Sequence, residues 1–389
     1  MSTRLKPQLL EGSQAIAQTI KNLEPGVVSA YPITPQTHIV EALAKYRADG
    51  QANYEYVRAE SEFAAASIIL GASATGVRVY SATSSQGLLL MTEVIYNIAG
   101  MRLPVVMTCA NRAVSAPINI FNDQSDVMAI RDAGWILLFA ADHQEAVDLH
   151  VIAYKLAEKL SLPVMVNVDG FIITHSYESV VIPDQKLIKK FLPDYQPILG
   201  TCLDPARPIT LGAFFTPAYY QKNRAGLHQD LRASQAVIKQ EYQLYHKLSP
   251  RHLSNDLKPR LDNGLIEYFG PARPETILVT MGSVAGTIQA TLETEKKTGL
   301  LKIKTYRPFP TAEINKILSS TKNVAVIEKA ISLGNTGPLY SDLKAGLDNK
   351  RLNVTSHIVG LGGRDVTQKI IKGIIKASRH SRTETKFWE

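Results

Sequence analysis

Residues 57–91 read VRAESEFAAASIILGASATGVRVYSATSSQGLLLM, and this stretch carries the signals on which the fold prediction depends. The run 63–70 is apolar on nearly all faces, which predicts a buried helix. A short strand is predicted at 77–81, and it ends in the polar turn 82–87. A helix that leads into a short strand and a polar turn is the repeating unit of an α/β sheet.

Two carboxylates, Glu60 and Glu62, stand at the head of this helix. Acidic residues in a first turn complement the helix dipole and the free N–H groups there, and this interpretation is sufficient for Glu60. For Glu62 a chemical role is favoured, because burial stabilises the protonated form of a carboxyl group and such a group can exchange a proton.

The alternation of strands and helices continues along the first half of the chain, which indicates a doubly wound parallel α/β fold. Further strands are predicted at 27–30, 52–57, 104–108, 135–140 and 163–168, with helices at 13–23, 36–48, 88–99 and 143–160. From 176 to 271 the pattern loosens, and the prolines that interrupt it include Pro183, Pro193, Pro205, Pro208 and Pro217. We interpret this region as an extended arm, with a connector helix at 228–246, that packs on a partner or wraps its own domain.

A second, smaller α/β domain is predicted where the alternation restarts. Its elements are predicted at 276–280, 285–297, 301–306, 323–327 and 353–359. We place the domains at 1–250 and 258–389. The glycine turns of the second domain lack the spacing of a dinucleotide fingerprint, so no nucleotide site is predicted there.

Composition narrows the classes of function. The chain has 389 residues and a formal charge of +8, but its Lys and Arg residues are scattered except in a basic tail at 372–382. A nucleic-acid partner is therefore not predicted, whereas a modest positive field suits anionic substrates and acidic protein partners.

The two cysteines, Cys109 and Cys202, cannot supply a four-cysteine cluster or zinc site. They also provide no disulfide framework, which favours a cytoplasmic location. No apolar run approaches the ~20 residues that span a bilayer, and the first residues lack the hydrophobic region of a signal peptide.

Polar side chains follow several of the predicted strands. Thr34 lies in the rigid loop YPITP at 31–35, and Arg112 follows the strand LPVVMTC. Because ligands bind at the carboxyl edge of such sheets, both are candidate ligand residues. Alternatively, Thr34 lies near a helix N-cap and Arg112 forms a surface salt bridge. Further along the loop that carries Arg112, four polar residues either line a pocket or cap the following helix: Asn122, Asp123, Gln124 and Asp126.

Six ordered motifs together make the chain resemble the α subunit of the pyruvate (2-oxoacid):ferredoxin oxidoreductases. The resemblance implies a thiamine-diphosphate-binding domain of the pyrimidine type, followed by a domain like the C-terminal domain of transketolase. It also implies an enzyme that decarboxylates a 2-oxoacid, makes an acyl-CoA and passes electrons to ferredoxin. The motifs are YPITP at 31–35, AESE at 59–62, SATSSQGLLLM at 81–91, NRAVSAPINIFNDQSD at 111–126, YRPFP at 306–310 and VGLGGRDVT at 359–367.

The resemblance also implies roles for individual residues. Glu62 corresponds to the carboxyl that hydrogen-bonds N1′ of the aminopyrimidine ring and promotes removal of the thiazolium C2 proton. Arg112 corresponds to the anchor of the substrate carboxylate, and Thr34 to a hydrogen-bond donor to the same substrate. The turn that shapes the cofactor pocket comprises Thr83, Ser84, Ser85 and Gln86.

The diphosphate half of such a site is missing from the sequence. Thiamine enzymes hold the diphosphate through Mg²⁺ on a GDG motif, but the nearest match here is Val168-Asp169-Gly170, and no Asn pair follows it. No metal ligands are therefore predicted in this chain. The expected partners are a β subunit with the diphosphate and Mg²⁺, and γ and δ subunits of ferredoxin type with [4Fe-4S] clusters. The isolated chain is expected to be inactive.

Two alternatives stay open at this point. One is a relative with the same architecture that acts on 2-oxoglutarate, a branched-chain 2-oxoacid or oxalate. The other is a non-catalytic α/β assembly or binding subunit, in which Glu62 and Arg112 pair structurally.

Overall fold

The computed structural model describes residues 6–198, 200–249, 258–379 and 385–389, so the basic tail 372–382 is described only to residue 379. Strands and helices alternate in both halves of the chain. The strands are β1 (Gln8–Glu11), β2 (Val27–Ala30), β3 (Glu55–Arg58), β4 (Val79–Thr83), β5 (Val106–Asn111), β6 (Ile136–Phe139), β7 (Val164–Asp169), β8 (Tyr177–Val180), β9 (Leu261–Asp262), β10 (Ile266–Phe269), β11 (Thr276–Thr280), β12 (Thr298–Ile303), β13 (Thr305–Arg307), β14 (Asn323–Glu328), β15 (Asn353–Ile358) and β16 (Lys386–Phe387). The helices are α1 (Gly12–Leu23), α2 (Thr37–Ala48), α3 (Glu62–Ala74), α4 (Ser85–Leu90), α5 (Thr92–Gly100), α6 (Ser125–Ala129), α7 (His143–Leu160), α8 (Gln185–Phe191), α9 (Pro217–Leu248), α10 (Val284–Leu292), α11 (Thr311–Leu318), α12 (Pro338–Gly346) and α13 (Gln368–Ser378).

The first sheet has the order β13-β6-β7-β5-β4-β2-β3, and β2 to β7 run parallel. β5 and β7 are buried along their whole length, as parallel strands covered on both faces require. The chain passes from β2 to the edge strand β3 and then returns across β2 to β4. The direction of winding therefore reverses between β2 and β4, and the doubly wound prediction is confirmed. A crevice at the carboxyl ends of such strands is where α/β sheets bind ligands.

The helix α3 begins at Glu62, and the Ser61 hydroxyl caps it by accepting a hydrogen bond from the backbone N–H of Ala64 at 3.1 Å. The prediction of a buried helix holds for one face only, which includes Ala66 and Ile69. The opposite face carries Phe63, whose exposed fraction is 39%. Periodicity could not separate the two faces, because both are apolar.

Two predicted helices have different bounds in the structure. The predicted helix 88–99 is two helices, α4 and α5, and α4 already begins inside the predicted polar turn. The predicted connector helix 228–246 is the longer α9, which begins at Pro217. Pro217 therefore starts this helix rather than interrupting the chain, because its missing N–H and fixed φ suit the first position of a helix.

The second sheet has the order β16-β15-β14-β11-β12-β10-β9, with a parallel centre and β10 antiparallel. The strand predicted at 301–306 is in fact two strands in different sheets. β12 lies in the second sheet, whereas β13 pairs antiparallel with β6 of the first. The division at 250 and 258 stays a prediction, and one hydrophobic cluster spans both halves of the chain. Among the described helices, none has both the length and the apolar composition of a bilayer crossing.

Candidate functional site

The four predicted site segments lie at the carboxyl edge of the first sheet. The loop with Thr34 follows β2, Glu62 opens α3 after β3, the turn 83–86 follows β4, and Arg112 follows β5. Gln36 joins two of these strands, because its Nε2 donates to the backbone carbonyls of Tyr31 and Ala82 at 3.0 and 2.8 Å. The topological reversal between β2 and β4 therefore brings the segments to one crevice.

The Glu62 carboxyl lies directly over Gly87, a residue that the sequence prediction did not single out. A Cβ built on Gly87 would lie 2.7 Å from Glu62 Oε1 and 2.8 Å from its Cγ. The same point is 2.6 Å from Thr83 Oγ1. Only glycine at this position of α4 leaves room for the carboxyl. A glycine in a Ser/Thr-rich helix start is a weak signal, and nothing local in the sequence connects it with Glu62.

The Glu62 side chain is 8% exposed, and no described residue forms a hydrogen bond or ion pair with its carboxyl. In particular, Glu62 and Arg112 do not pair within the described part of the chain. The structural pairing in the non-catalytic alternative is therefore not present. A buried carboxyl without a protein partner is open to a ligand that donates or accepts a hydrogen bond.

The turn after β4 divides into two kinds of residue. The Ser84 hydroxyl donates to the backbone carbonyl of Ala110 at 2.7 Å, and the Ser85 hydroxyl to that of Ala113 at 2.6 Å. Thr83 Oγ1 and Gln86 Nε2, by contrast, are buried and have no hydrogen-bond partner among the described residues. The serines therefore hold the turn against β5 and the loop after it. The Thr83 and Gln86 groups remain available to a ligand.

Arg112 is 7% exposed, and its guanidinium donates only to backbone carbonyls: Nη1 to Thr34 at 2.9 Å and Nε to Asn119 at 3.1 Å. No described carboxylate forms an ion pair with it, so it is not a surface salt-bridge residue. Burial lowers the pKa of Arg112, and the nearby Asp126 carboxylate partly opposes this effect. The Arg112 guanidinium has further N–H donors that can bind an anionic ligand.

Thr34 lies beside Arg112, and its side chain is half-buried. It lies near a helix N-cap, because α2 begins at Thr37 and its N-cap is Gln36, but Thr34 is not the cap itself. The backbone carbonyl of Thr34 is the acceptor for Arg112. The loop after β2 and the loop after β5 are thus joined directly at the crevice.

Asp126 connects the turn after β4 with the loop that carries Arg112, a role that we did not predict. Its Oδ2 accepts hydrogen bonds from the backbone N–H groups of Ser85 and Arg112, both at 3.0 Å. Its Oδ1 accepts from Asn111 Nδ2 at 2.9 Å and from the Val127 N–H at 2.7 Å. Burial raises the pKa of Asp126 to about 6. The sequence pattern favours Asp126 as a helix cap or a pocket residue, because neighbouring residues alone do not distinguish a capping carboxylate from one that joins two distant loops.

A buried polar cluster connects this edge to the second sheet. Lys329 Nζ contacts Asp169 Oδ2 at 3.2 Å and donates to Asn122 Oδ1 at 2.7 Å. Gln124 donates to Asp169 Oδ1 at 2.9 Å, and the Ser283 N–H donates to Oδ2 at 2.9 Å. Burial alone would raise the pKa of Asp169, but Lys329 and these donors lower it. The Asp169 carboxylate is therefore engaged within the chain.

The glycine turn after β15 packs on the loop that holds Arg112. Asn119 Nδ2 donates to the backbone carbonyl of Gly362 at 3.1 Å, and the Gly363 N–H donates to that of Asn122 at 2.8 Å. A Cβ on Gly363 would lie 2.3 Å from Phe121 Cβ, and its φ of +83° also favours glycine. The second sheet therefore supports the position of the Arg112 loop.

Two family models match this chain. One is described as "Pyruvate flavodoxin/ferredoxin oxidoreductase, thiamine diP-bdg" and matches residues 18–243. The other is "Pyruvate:ferredoxin oxidoreductase core domain II" and matches residues 274–371.

Curated relatives match over nearly the whole length. The chain is 42% identical to pyruvate synthase subunit PorA of Methanocaldococcus jannaschii, covering 100% of this chain and 99% of that protein. It is 43% identical to PorA of Methanosarcina barkeri, covering 97% and 93%. Ketoisovalerate oxidoreductase subunit VorA of Pyrococcus horikoshii is 37% identical, covering 94% and 92%.

A solved structure has the same fold. It is the 2-oxoglutarate:ferredoxin oxidoreductase from Magnetococcus marinus with 2-oxoglutarate, coenzyme A and succinyl-CoA bound. It aligns with a TM-score of 0.72 at 22% identity and covers 96% of this chain and 65% of that one.

Proposed function

Because the chain belongs to the pyruvate flavodoxin/ferredoxin oxidoreductase family, we propose that it is the α subunit of a complex that oxidises pyruvate. The products are acetyl-CoA and CO₂, and the electrons pass to ferredoxin. The observation that carries the proposal is the unpartnered Glu62 carboxyl over Gly87, in a crevice shared with Arg112. Relatives named PorA at 41–43% identity support pyruvate as the substrate.

The residues at the crevice fit the aminopyrimidine ring of thiamine diphosphate. That ring has both donor and acceptor nitrogens, and the chain presents the Glu62 carboxyl, the unpartnered Thr83 hydroxyl and the unpartnered amide nitrogen of Gln86. When bound, the cofactor supplies a carbon nucleophile and an electron sink for decarboxylation. Glu62 would hold a proton at N1′, while Thr83 and Gln86 would orient the ring.

Arg112 and Thr34 would bind the substrate. A guanidinium with unused N–H donors pairs with the carboxylate of a 2-oxoacid, and its burial strengthens that attraction by excluding water. The contact between Arg112 and the Thr34 carbonyl fixes the two residues relative to each other. The Thr34 hydroxyl would then donate a hydrogen bond to the same substrate.

The remaining parts of the reaction would belong to partner subunits. Asp169, in the nearest match to GDG, already pairs with Lys329, and both cysteines are free thiols. We therefore assign the diphosphate and Mg²⁺ to a β subunit, and the [4Fe-4S] clusters to γ and δ subunits or fusions of them. Coenzyme A is a substrate of the complex, and we place the complex in the cytoplasm. The division at 250 and 258 is part of the same proposal.

The test uses the reconstituted complex with pyruvate, CoA and a low-potential acceptor. Glu62→Gln should lower kcat by about 10²–10⁴-fold, the usual contribution of a positioned acid or base, without disturbing assembly. Glu60→Gln is the matched control, because Glu60 is exposed two residues away and should leave kcat unchanged. Unchanged activity in Glu62→Gln would favour a non-catalytic role, and turnover by the isolated chain would contradict the division of the site.

The same assay decides the substrate. Pyruvate should give the highest kcat/KM among pyruvate, 2-oxoglutarate and branched-chain 2-oxoacids. The VorA relative makes a branched-chain acid the second candidate, and a higher kcat/KM for it would replace pyruvate in the proposal.

A further inference from the structure

Three side chains of metal-ligating type lie together outside this crevice, where β1, α2 and the segment after β7 meet. Glu11 ends β1, His38 lies in the first turn of α2, and His175 follows β7. One candidate ligand atom from each lies within 4.8 Å of the other two. Ligands of a tetrahedral zinc ion lie about 2.0–2.2 Å from it and therefore about 3.3–3.6 Å from one another. Side-chain rotations that move the ligand atoms by up to about 1.5 Å would close the difference, and all three side chains are partly exposed.

Two of the three side chains are already in direct contact. A hydrogen bond of 2.7 Å joins His38 Nδ1 and Glu11 Oε1. An ion that replaces the proton of this hydrogen bond would separate the two atoms to about 3.3 Å, the ligand–ligand distance in a tetrahedral zinc site. The Nδ1 of His175 forms a 2.7 Å hydrogen bond with Thr174 Oγ1, which leaves its Nε2 for the ion.

Further contacts hold the third ligand in place. Thr174 is fully buried, and its hydroxyl also accepts a hydrogen bond from the Phe171 N–H at 2.8 Å. A metal-bound histidine usually has its second ring nitrogen held by such a polar oxygen. The His175 ring packs at 4.5 Å from the Phe171 ring and 4.6 Å from the His38 ring. The imidazole is therefore restrained before any ion binds.

We propose that Glu11, His38 and His175 bind one divalent transition-metal ion of the zinc class, with water completing its coordination. Two imidazoles and one carboxylate favour such an ion over Mg²⁺ or Ca²⁺, which prefer oxygen ligands alone. A cavity of about 550 Å³ bordered by Glu11 and His38 gives the ion and its water access from solvent. The ion would join three elements that are distant in sequence.

The position of the site also connects it with the crevice. His38 lies one turn after the loop that carries Thr34, and a Cβ on Gly170 would lie 2.6 Å from Pro35 Cγ of that loop. The segment that carries His175 therefore packs against the loop that carries Thr34. A metal at this site would add a restraint to the Thr34 loop, which the Arg112 guanidinium already contacts.

The test is calorimetric titration of the chelator-treated full chain with Zn²⁺ and, separately, Co²⁺. The wild type should bind one ion per chain, and each of Glu11→Gln, His38→Gln and His175→Gln should weaken binding at least 10-fold. His228→Gln is the matched control, because His228 is exposed on α9 and should leave binding unchanged.

Two further readouts keep the test decisive. Zn²⁺ should raise the thermal midpoint of the wild type and of His228→Gln but not of the three site variants, since only a ligand of the folded state stabilises it. Circular dichroism confirms that each variant is folded. A wild type that binds no ion, or a triple variant that binds as tightly as the wild type, would overturn the proposal.

Discussion

Replacing Gly87 by alanine is the sharpest test of the crevice, because it moves the proposed acid without changing any polar group. The new Cβ would lie 2.7 Å from Glu62 Oε1, 2.8 Å from Glu62 Cγ and 2.6 Å from Thr83 Oγ1. Since Cγ is close to the backbone of α3, the carboxyl cannot avoid the methyl group by turning its tip alone. The Glu62 side chain must move as a whole.

The magnitude follows from the required movement. The carboxyl has to retreat by about 0.7 Å to reach ordinary van der Waals contact. Because a displacement of about 1 Å in a reacting group can lower a rate about 10²-fold, we expect kcat/KM to fall roughly 30–100-fold. This corresponds to about 2–2.7 kcal/mol of transition-state stabilisation.

Stability should change much less than activity. Alanine is favoured over glycine inside a helix by roughly 0.5–1 kcal/mol, which offsets part of the steric strain in α4. The assay is therefore steady-state turnover of the reconstituted complex, combined with its affinity for thiamine diphosphate and the thermal midpoint of the chain. We expect both kcat/KM and cofactor affinity to fall while the midpoint moves little.

Gly226→Ala is the matched control, because Gly226 lies inside α9 and a Cβ there meets no atom within 4 Å. It should stabilise the chain slightly and leave turnover at the wild-type level. If Gly87→Ala retained wild-type kcat/KM and cofactor affinity, the position of Glu62 over Gly87 would have no part in the reaction, and our reasoning would be wrong.

Three further predictions concern charges around the crevice. Arg112→Lys removes the guanidinium that donates to two backbone carbonyls. In steady-state kinetics, kcat/KM for pyruvate should fall by roughly 5–160-fold, which corresponds to about 1–3 kcal/mol of lost transition-state stabilisation. An unchanged kcat/KM would exclude Arg112 as the anchor of the substrate carboxylate. Burial raises the pKa of Asp126 from 3.8 to about 6, so the folded state binds this proton more tightly than the unfolded state does. The stabilisation is complete below about pH 3 and is lost as the pH rises through about 6. Denaturant unfolding should therefore show the wild type losing about 3 kcal/mol relative to Asp126→Asn between about pH 3 and 7. A parallel pH dependence in the two proteins would contradict this. Lys329→Met leaves the Asp169 carboxylate buried without its cation and should destabilise the chain by about 3–5 kcal/mol, with partial recovery when Asp169→Asn is added. Lys297→Met, at an exposed ion pair, should cost less than about 1 kcal/mol, and an equal loss in both variants would refute the argument.

Predicted and observed elements agree best where neighbouring residues alone determine the helix or strand. The helix predicted at 143–160 is α7, and the strand predicted at 276–280 is β11, with the same bounds. The carboxyl-edge positions of Thr34 and Arg112 also follow from strand order alone, because every parallel strand ends at the same edge. Local apolar periodicity and turn residues carry this information.

The element boundaries are wrong where a residue pairs with a strand that is distant in sequence. The strand predicted at 301–306 is divided because Thr305 pairs with Leu138 of the first sheet. That the turn 83–86 shapes a cofactor pocket stays a prediction, and the sequence could not show that the Ser84 and Ser85 hydroxyls donate to backbone carbonyls. A hydroxyl that faces a backbone carbonyl and one that faces a ligand have the same sequence signature.

The sequence by itself determined the α/β alternation, the carboxylate at the start of α3 and, through six ordered motifs, the family. It could do so because helix starts, strand ends and motif spacing are properties of neighbouring residues. Only the tertiary structure decided that Glu62 lies over Gly87, that Asp126 joins the Ser85 and Arg112 backbones, and that Lys329 pairs with Asp169. Those contacts join residues far apart in the chain, and their energies depend on burial and distance, which exist only after both sheets have folded together.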